Sequence, residues 1–162
     1  MAEIRIGCGR VVTYTDTLGR IWAADNSFVN GATFSNANAI ANTLDPILFR
    51  SERYTDATSF SYSIPIANGA YTLRLGFAEI FYNAVGQSSV DIFSQGNQIL
   101  FNYDVTLDAG GTNRAIIKSF PLRVENGIAR LDFVSVIVNT GKISNIEIVP
   151  RYFASPQMLS AC

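Results

Sequence analysis

Two Asn-Gly pairs limit the fold of this chain more than any other feature of its sequence. Asn68-Gly69 separates the run SFSYSIPIA from AYTLRLGFAE, and Asn126-Gly127 separates IIKSFPLRVE from IARLDFVSV. Within the second of these runs, Tyr71 to Leu75 alternates apolar with polar or charged residues, as a half-buried strand does. Because Asn-Gly readily adopts the positive φ angles of a type I′ turn, each pair predicts an antiparallel hairpin. A third hairpin is predicted where SQGNQI, at 94–99, separates SVDIF from ILFNYDV.

Strand-like runs of this kind recur from about residue 58 to residue 149. They are rich in Val, Ile, Phe, Tyr and Thr, and no segment between them has a helical period long enough for a crossover helix. The sequence therefore predicts an all-β fold, an antiparallel jelly-roll β-sandwich. Residues 7–57 predict long loops with short strands at 11–14 and 20–23 and a helical turn near 44–52. Loops at one end of the sandwich are expected to form a ligand pocket.

The composition excludes several classes of function. The 162 residues predict one domain over 1–150, followed by a C-terminal extension over 151–162. The net charge of −1 gives no electrostatic footprint for nucleic acid. No apolar run is long enough to span a membrane, and no signal peptide is visible. The chain has no histidine, which excludes Ser-His-Asp and Cys-His catalysis and argues against a zinc site.

The remaining candidate ligands for metals and cofactors give no recognisable motif. Cys8 and Cys162 have no metal-ligand spacing; they bond if the chain ends meet and otherwise remain free thiols. No cofactor is expected. The clusters of Asp and Asn leave a structural calcium ion open, although no run has the spacing of a calcium-binding loop.

Seven stretches of the chain together carry a resemblance to a known family. They are IGCG (6–9), YTDTLGRIWAAD (14–25), ILFRSERY (47–54), FSYSIPIANGAYTLRLGFAEIFY (60–82), VDIFSQGNQIL (90–100), DAGGTNRA (108–115) and GKISNIEI (141–148). In this order they resemble the malectin and malectin-like carbohydrate-binding family. The resemblance implies a jelly-roll β-sandwich with a pocket for short α-linked glucose oligosaccharides such as maltose or nigerose. It also implies a non-catalytic domain with an extracellular or lumenal location, and leaves open that the domain is part of a larger multidomain protein.

The resemblance also assigns the residues that contact sugar. They are Tyr54, which ends the ERY segment, and Phe81 and Tyr82, which follow FAE. A further family aromatic falls near Phe34, and the family's acidic sugar ligand corresponds to Asn139. The family order at the aromatic pair is Tyr then Phe, so the hydroxyl has moved by one position. The amide at 139 binds sugar hydroxyls less strongly than a carboxylate would.

Structural alternatives stay open for these residues. Phe81 and Tyr82 could pack a loop, and the alternation that starts at Phe77 predicts that Phe81 points to the core. Tyr54 could be a core tyrosine with a bonded hydroxyl, and Asn139 could be a turn residue.

Glu79, the sixth candidate ligand, is better explained by a structural role. Within the sandwich it is expected to accept hydrogen bonds from loop amides or to pair with Arg53 or Arg74. Trp22 is expected in the core rather than in a ligand platform. Asp16 and Asp25 are expected to stabilise turns by accepting backbone N–H groups.

Two rival functions remain beside carbohydrate binding. One is a glycoside hydrolase that uses two carboxylates, for instance Glu79 with Asp91. A small sandwich with shallow loops rarely encloses a scissile bond, so this reading is the weaker of the two. The other rival is a peptide- or protein-interaction module, which fits the loss of the acidic residue at position 139.

Overall fold

Short strands make up most of the regular structure of the protein. The computed structural model describes residues 2–56, 58–137 and 139–152. The strands in chain order are β1 (Ile4–Gly7), β2 (Tyr14–Thr15), β3 (Ile21–Trp22), β4 (Phe28–Val29), β5 (Ala32–Ser35), β6 (Ser51–Tyr54), β7 (Ser59–Pro65), β8 (Gly69–Phe77), β9 (Val90–Ser94), β10 (Asn97–Tyr103), β11 (Ile116–Val124), β12 (Ile128–Ser135), β13 (Lys142–Ile143) and β14 (Asn145–Pro150). A 3₁₀ helix spans Pro46–Phe49, and a short helix, α1, spans Val105–Ala109.

Two sheets enclose the main apolar core. One has four strands in the order β1-β14-β8-β11, and the other has five in the order β10-β9-β12-β7-β4. All their strand pairs are antiparallel. On β12, for example, Ala129, Leu131 and Phe133 are buried in the core while the residues between them are more exposed, as the two-residue period of a strand requires. The predicted all-β antiparallel jelly-roll sandwich is confirmed.

Both Asn-Gly pairs connect one main sheet to the other, so the prediction that each closes a hairpin is wrong. Asn68-Gly69 leads from β7 in the five-stranded sheet to β8 in the four-stranded sheet, and Asn126-Gly127 leads from β11 back to β12. The Asn68 Oδ1 atom accepts a hydrogen bond of 2.7 Å from the Gly127 N–H, so the two corners support each other. Folding across the sandwich buries the apolar faces of the flanking strands against each other. That burial outweighs the local preference for a hairpin.

The third predicted hairpin is confirmed. Strands β9 and β10 pair around Gln95-Gly96, whose φ angles of 51° and 79° are both positive, as a type I′ turn requires. The helical turn expected near 44–52 is the 3₁₀ helix. The strand expected at 20–23 is present as β3, whereas the strand expected at 11–14 forms only at its end, as β2.

A second apolar cluster lies beneath the N-terminal loops, and Trp22 belongs to it. Its indole N–H donates a hydrogen bond of 2.9 Å to the Oδ2 atom of Asp16. The Oδ1 atom of Asp16 also accepts the backbone N–H groups of Leu18 and Arg20, at 3.0 and 2.9 Å. The predictions of a core tryptophan and of a turn-stabilising Asp16 are therefore confirmed. Asp25 instead pairs with Arg53 and accepts the N–H of Gly9, 16 residues away, so its predicted turn role is wrong.

Some predictions concern residues that the structure does not describe. Cys8 is fully buried and has a free thiol, whereas Cys162 and residues 153–162 of the predicted extension lie outside the described residues. Within the described part of the chain, no helix is long and apolar enough to cross a membrane. The same residues contain no group of three or more His, Cys, Asp or Glu side chains that could hold a metal ion.

Two glycines in tight loops differ in how closely the surrounding chain packs against them. Gly9 and Gly19 have φ angles of 77° and 80°, which disfavour any residue with a Cβ atom. A Cβ atom at Gly9 would lie 2.4 Å from the carbonyl oxygen of Glu52, whereas one at Gly19 would meet no heavy atom within 4 Å. We expect Gly19→Ala to lower the free energy of unfolding by about 1 kcal/mol and Gly9→Ala by about 3 kcal/mol or more. Urea denaturation measures both, and equal losses would contradict the close contact of this loop with β6.

Candidate functional site

A pocket of about 250 Å³ contains most of the candidate ligands. It is formed by the small sheet β13-β6-β5, the loop after β8, the loop before β13 and the residues that follow β6. Its lining residues are Phe34, Glu52, Tyr54, Asp56, Phe81, Tyr82, Asn139, Thr140 and Lys142. The structure thus brings five of the six predicted residues together, and Glu79 is the one that does not line the pocket.

One face of the small sheet forms the floor of the pocket. Glu52 and Tyr54 are two residues apart on β6, so their side chains point to the same face. Phe34 on β5 lies directly opposite Glu52, and Lys142 on β13 lies directly opposite Tyr54. Residues that are directly opposite each other share a face of the sheet. Arg53, between the two floor residues of β6, is buried on the other face.

Three aromatic rings form one wall of the pocket. Phe34 and Phe81 meet edge to face with their centroids 5.2 Å apart, and Phe81 meets Tyr82 in the same way at 4.9 Å. Phe81 is 62% exposed, so the prediction that it points to the core is wrong. Strand β8 ends at Phe77, and residues 78–80 are all buried. The two-residue alternation therefore stops before it reaches Phe81.

Glu79 positions two of these rings from below. It is 1% exposed, and its Oε2 atom accepts the backbone N–H groups of Phe81 and Tyr82, each at 3.1 Å. The prediction that Glu79 accepts hydrogen bonds from loop amides is therefore confirmed. Because the side chain is enclosed, its effect on a ligand would act through the loop that it holds.

The enclosed side chain of Glu79 is paired with a buried ammonium group. Lys142 is 1% exposed; its Nζ atom contacts the Oε2 atom of Glu79 directly and lies 3.4 Å from the Oε1 atom of Glu52. The predicted pairing of Glu79 with Arg53 or Arg74 is wrong. Those arginines bind other carboxylates, on Asp25 and Glu147 respectively. One carboxyl group and one ammonium group thus line the pocket floor, and the second carboxyl group, on Glu79, lies beneath it.

The loops on the opposite rim are tied to each other. The Thr55 N–H donates to the Gly141 carbonyl oxygen at 2.8 Å, and the Gly141 N–H donates to the Thr55 Oγ1 atom at 3.0 Å. Asn139 has a φ angle of 64°, a left-handed conformation that asparagine tolerates better than most residues. Asn139 is therefore a turn residue, and it also lines the pocket, while its role as a sugar ligand stays a prediction.

Four pocket residues were missed by the sequence reasoning, namely Glu52, Asp56, Thr140 and Lys142. A signal existed for two of them, since Glu52 and Asp56 lie two residues on either side of Tyr54. Lys142 had no local signal, because its partners are 63 and 90 residues away in sequence.

The two carboxylates considered for hydrolysis do not flank this pocket. Glu79 is enclosed beneath the aromatic loop. Asp91 lies on β9, where its Oδ1 atom accepts a hydrogen bond of 2.7 Å from the Asn102 N–H. Neither side chain is among the residues that line the pocket.

The chain matches one known domain family over almost its whole length. The model of the malectin domain matches residues 2–151. The chain belongs to the malectin-domain family. Malectin-A from Xenopus laevis is 31% identical over 119 residues, a match that covers 73% of this chain and 42% of malectin-A. A probable leucine-rich repeat receptor-like serine/threonine-protein kinase from Arabidopsis thaliana is 31% identical over 113 residues, covering 64% of this chain and 11% of the kinase.

The malectin domain is a carbohydrate-binding fold, and it also recurs inside larger proteins. The solved structure of a Bacteroides uniformis β-glucuronidase superposes with a TM-score of 0.79 at 19% identity, covering 93% of this chain and 18% of that enzyme. Identity this low shows a shared fold only. The chain spans less than half the length of the curated relatives named above.

The buried charges predict a specific dependence of stability on pH. Burial raises the pKa of Glu52 to about 7; the charge of Lys142 opposes the rise and that of Glu79 adds to it. In the unfolded chain the value is near 4.5. Between these pH values the folded state keeps a proton that the unfolded state has lost, so the free energy of unfolding falls as the pH rises from 4.5 to 7. The largest loss expected is about 3 kcal/mol.

Glu52→Gln tests this prediction because it resembles the neutral acid and does not titrate. Urea denaturation at pH 5 and pH 8 should show a smaller difference for Glu52→Gln than for the wild type. Glu125→Gln, whose side chain is 79% exposed in the wild type, is the control and should keep the wild-type difference. Identical pH differences in Glu52→Gln and wild type would show that Glu52 is ionised throughout this range.

Proposed function

We propose that this malectin domain binds short, neutral, α-linked glucose oligosaccharides such as maltose or nigerose and does not cleave them. The main support is the exposed ring of Phe81, which the buried carboxylate of Glu79 holds in place beside two further rings. A contiguous patch of apolar side chains at the surface, unlike a single exposed ring, marks a binding surface. Sugars present faces of C–H bonds that pack on such rings, and rims of hydroxyl groups that need polar partners.

The polar residues of the pocket fit the second requirement. Tyr54, Asp56 and Asn139 place hydroxyl, carboxylate and amide groups around the aromatic wall. The Thr140 hydroxyl instead accepts the Ser89 N–H and donates to the Ile137 carbonyl oxygen. The volume of about 250 Å³ is near the lower end for ligand pockets, which favours one end of a short oligosaccharide.

The pocket also sets the expected affinity. A disaccharide has about 23 non-hydrogen atoms, and about −0.3 kcal/mol per atom gives a limit near −7 kcal/mol, or roughly 10 μM. Because Asn139 is neutral, we expect weaker binding of maltose, with a Kd of roughly 0.1–1 mM.

Phe81→Ala tests the aromatic wall, and Phe101→Ala is its matched control. Phe101 is 72% exposed and lies on β10, outside the pocket. We expect Phe81→Ala to weaken maltose binding at least about fivefold, since stacking is worth about 0.5–1.5 kcal/mol beyond area burial. Phe101→Ala should bind normally, and both variants should melt within about 2 °C of the wild type because both rings are exposed. NMR titration measures these affinities; equal affinity of the two variants would contradict the proposed role of Phe81.

Absence of cleavage has its own test. Maltotriose incubated with the protein should release no new reducing ends. Glu79 and Asp91 do not line the pocket, and Glu52, which does, is 2% exposed and lies 3.4 Å from the ammonium group of Lys142, so Asp56 has no second accessible carboxyl group to act with. Steady release that follows the protein concentration would identify a hydrolase instead.

A peptide- or protein-interaction module is the second candidate. The similarity to a receptor-like kinase favours it, since a domain of this kind can form one part of a larger protein. A glycan array distinguishes the candidates. Binding to α-glucans supports the sugar ligand, whereas a blank array with a folded protein favours the protein ligand.

A further inference from the structure

We propose that Asp56 is the carboxylate that fixes a sugar hydroxyl in this pocket and biases the pocket against anionic sugars. The inference rests on the proposed function and names a specificity-determining residue for it. Asp56 lines the pocket and is exposed.

The position of Asp56 follows from β6 and from the hydrogen bond that continues its pairing to Thr55. Glu52 and Tyr54 point into the pocket, and Arg53 and Thr55 are buried on the other side. Strand β6 ends at Tyr54, but the hydrogen bond from the Thr55 N–H to the Gly141 carbonyl oxygen continues the backbone pairing by one residue, and Asp56, which follows, also lines the pocket. It is the outermost member of the row and therefore lies at the rim.

The backbone beside Asp56 is held in place, which a specific ligand contact requires. Thr55 is fully buried and exchanges two hydrogen bonds with Gly141, at 2.8 and 3.0 Å. Its hydroxyl also contacts the hydroxyl of Ser135. These contacts join the loop of Asp56 to the loop of Asn139, so the two side chains belong to the same rim.

Asp56 is also the carboxylate of the pocket that remains available. Glu52 is 2% exposed and lies 3.4 Å from the ammonium group of Lys142. Glu79 contacts the same ammonium group and two loop amides. Asp56, in contrast, makes no hydrogen bond or ion pair with another of the described residues.

A free carboxylate at the rim has two consequences for a sugar. Its two oxygen atoms can accept hydrogen bonds from adjacent hydroxyl groups, and such charge-assisted bonds are stronger than those of a neutral amide. It also repels a ligand carboxylate in the same place. The pocket is therefore expected to prefer a neutral glucose disaccharide to one of the same linkage that carries a glucuronic acid residue.

Asp56→Asn tests both consequences with almost no change of shape. NMR titration of the variant should show maltose binding about tenfold weaker than in the wild type. The wild type should bind the glucuronic acid disaccharide at least about tenfold more weakly than maltose, and this ratio should shrink in Asp56→Asn. Glu125→Gln removes one exposed charge outside the pocket and should change neither value.

The outcomes separate this inference from the proposed function. Wild-type affinity for maltose in Asp56→Asn, together with weakened binding in Phe81→Ala, would overturn the role of Asp56 and leave the sugar site intact. An unchanged ratio between the two disaccharides would overturn the selection against anionic sugars. A wild-type protein that binds neither disaccharide would overturn the proposed function, and the role of Asp56 with it.

Discussion

The pocket depends on one buried ammonium group between two carboxyl groups. Lys142 reaches Glu52 on the neighbouring strand and Glu79 at the start of the aromatic loop. It therefore joins β13, β6 and the segment after β8, which are far apart in sequence. Breaking such a cluster by removing one partner is strongly destabilising, because it leaves an unpaired charge away from water. With two carboxyl groups and one ammonium group, the cluster is electrically balanced only when the carboxyl groups share a proton, which agrees with the raised pKa of Glu52.

The same cluster explains why aromatic rings are exposed above it. The carboxylate of Glu79 binds the amides of Phe81 and Tyr82, so the loop keeps its shape without burying both rings. The ammonium group of Lys142 lies 5.6 Å from the centre of the Tyr82 ring, close enough for a favourable cation–π contact. Stability comes from polar contacts beneath the loop, and the ring faces remain available for a ligand. The two main sheets form a rigid frame, and the small sheet forms the floor of the pocket.

The sequence predicted what depends on local pattern and missed what depends on distant contacts. Strand periodicity identified the all-β class, and the Gln95-Gly96 turn closes the hairpin expected of it. The two Asn-Gly pairs were misassigned because their local turn preference says nothing about which sheet the next strand joins. Most of the pocket residues followed from the resemblance to a family. The orientation of Phe81 did not, because alternation holds only while a strand lasts, and β8 ends four residues earlier.

The neutral residue at position 139 is consistent with a charge already present on the same rim. Asn139 occupies a left-handed conformation that aspartate also tolerates, so the backbone alone does not require an amide there. The loops of Asp56 and Asn139 are hydrogen-bonded to each other, and Glu52 lies in the floor below them. A carboxylate at position 139 would repel the carboxylate of Asp56 on the same rim, and it would make the ionised form of Glu52 below them still less favourable. Electrostatic repulsion thus favours one free carboxylate on this rim, and in this chain that carboxylate is Asp56.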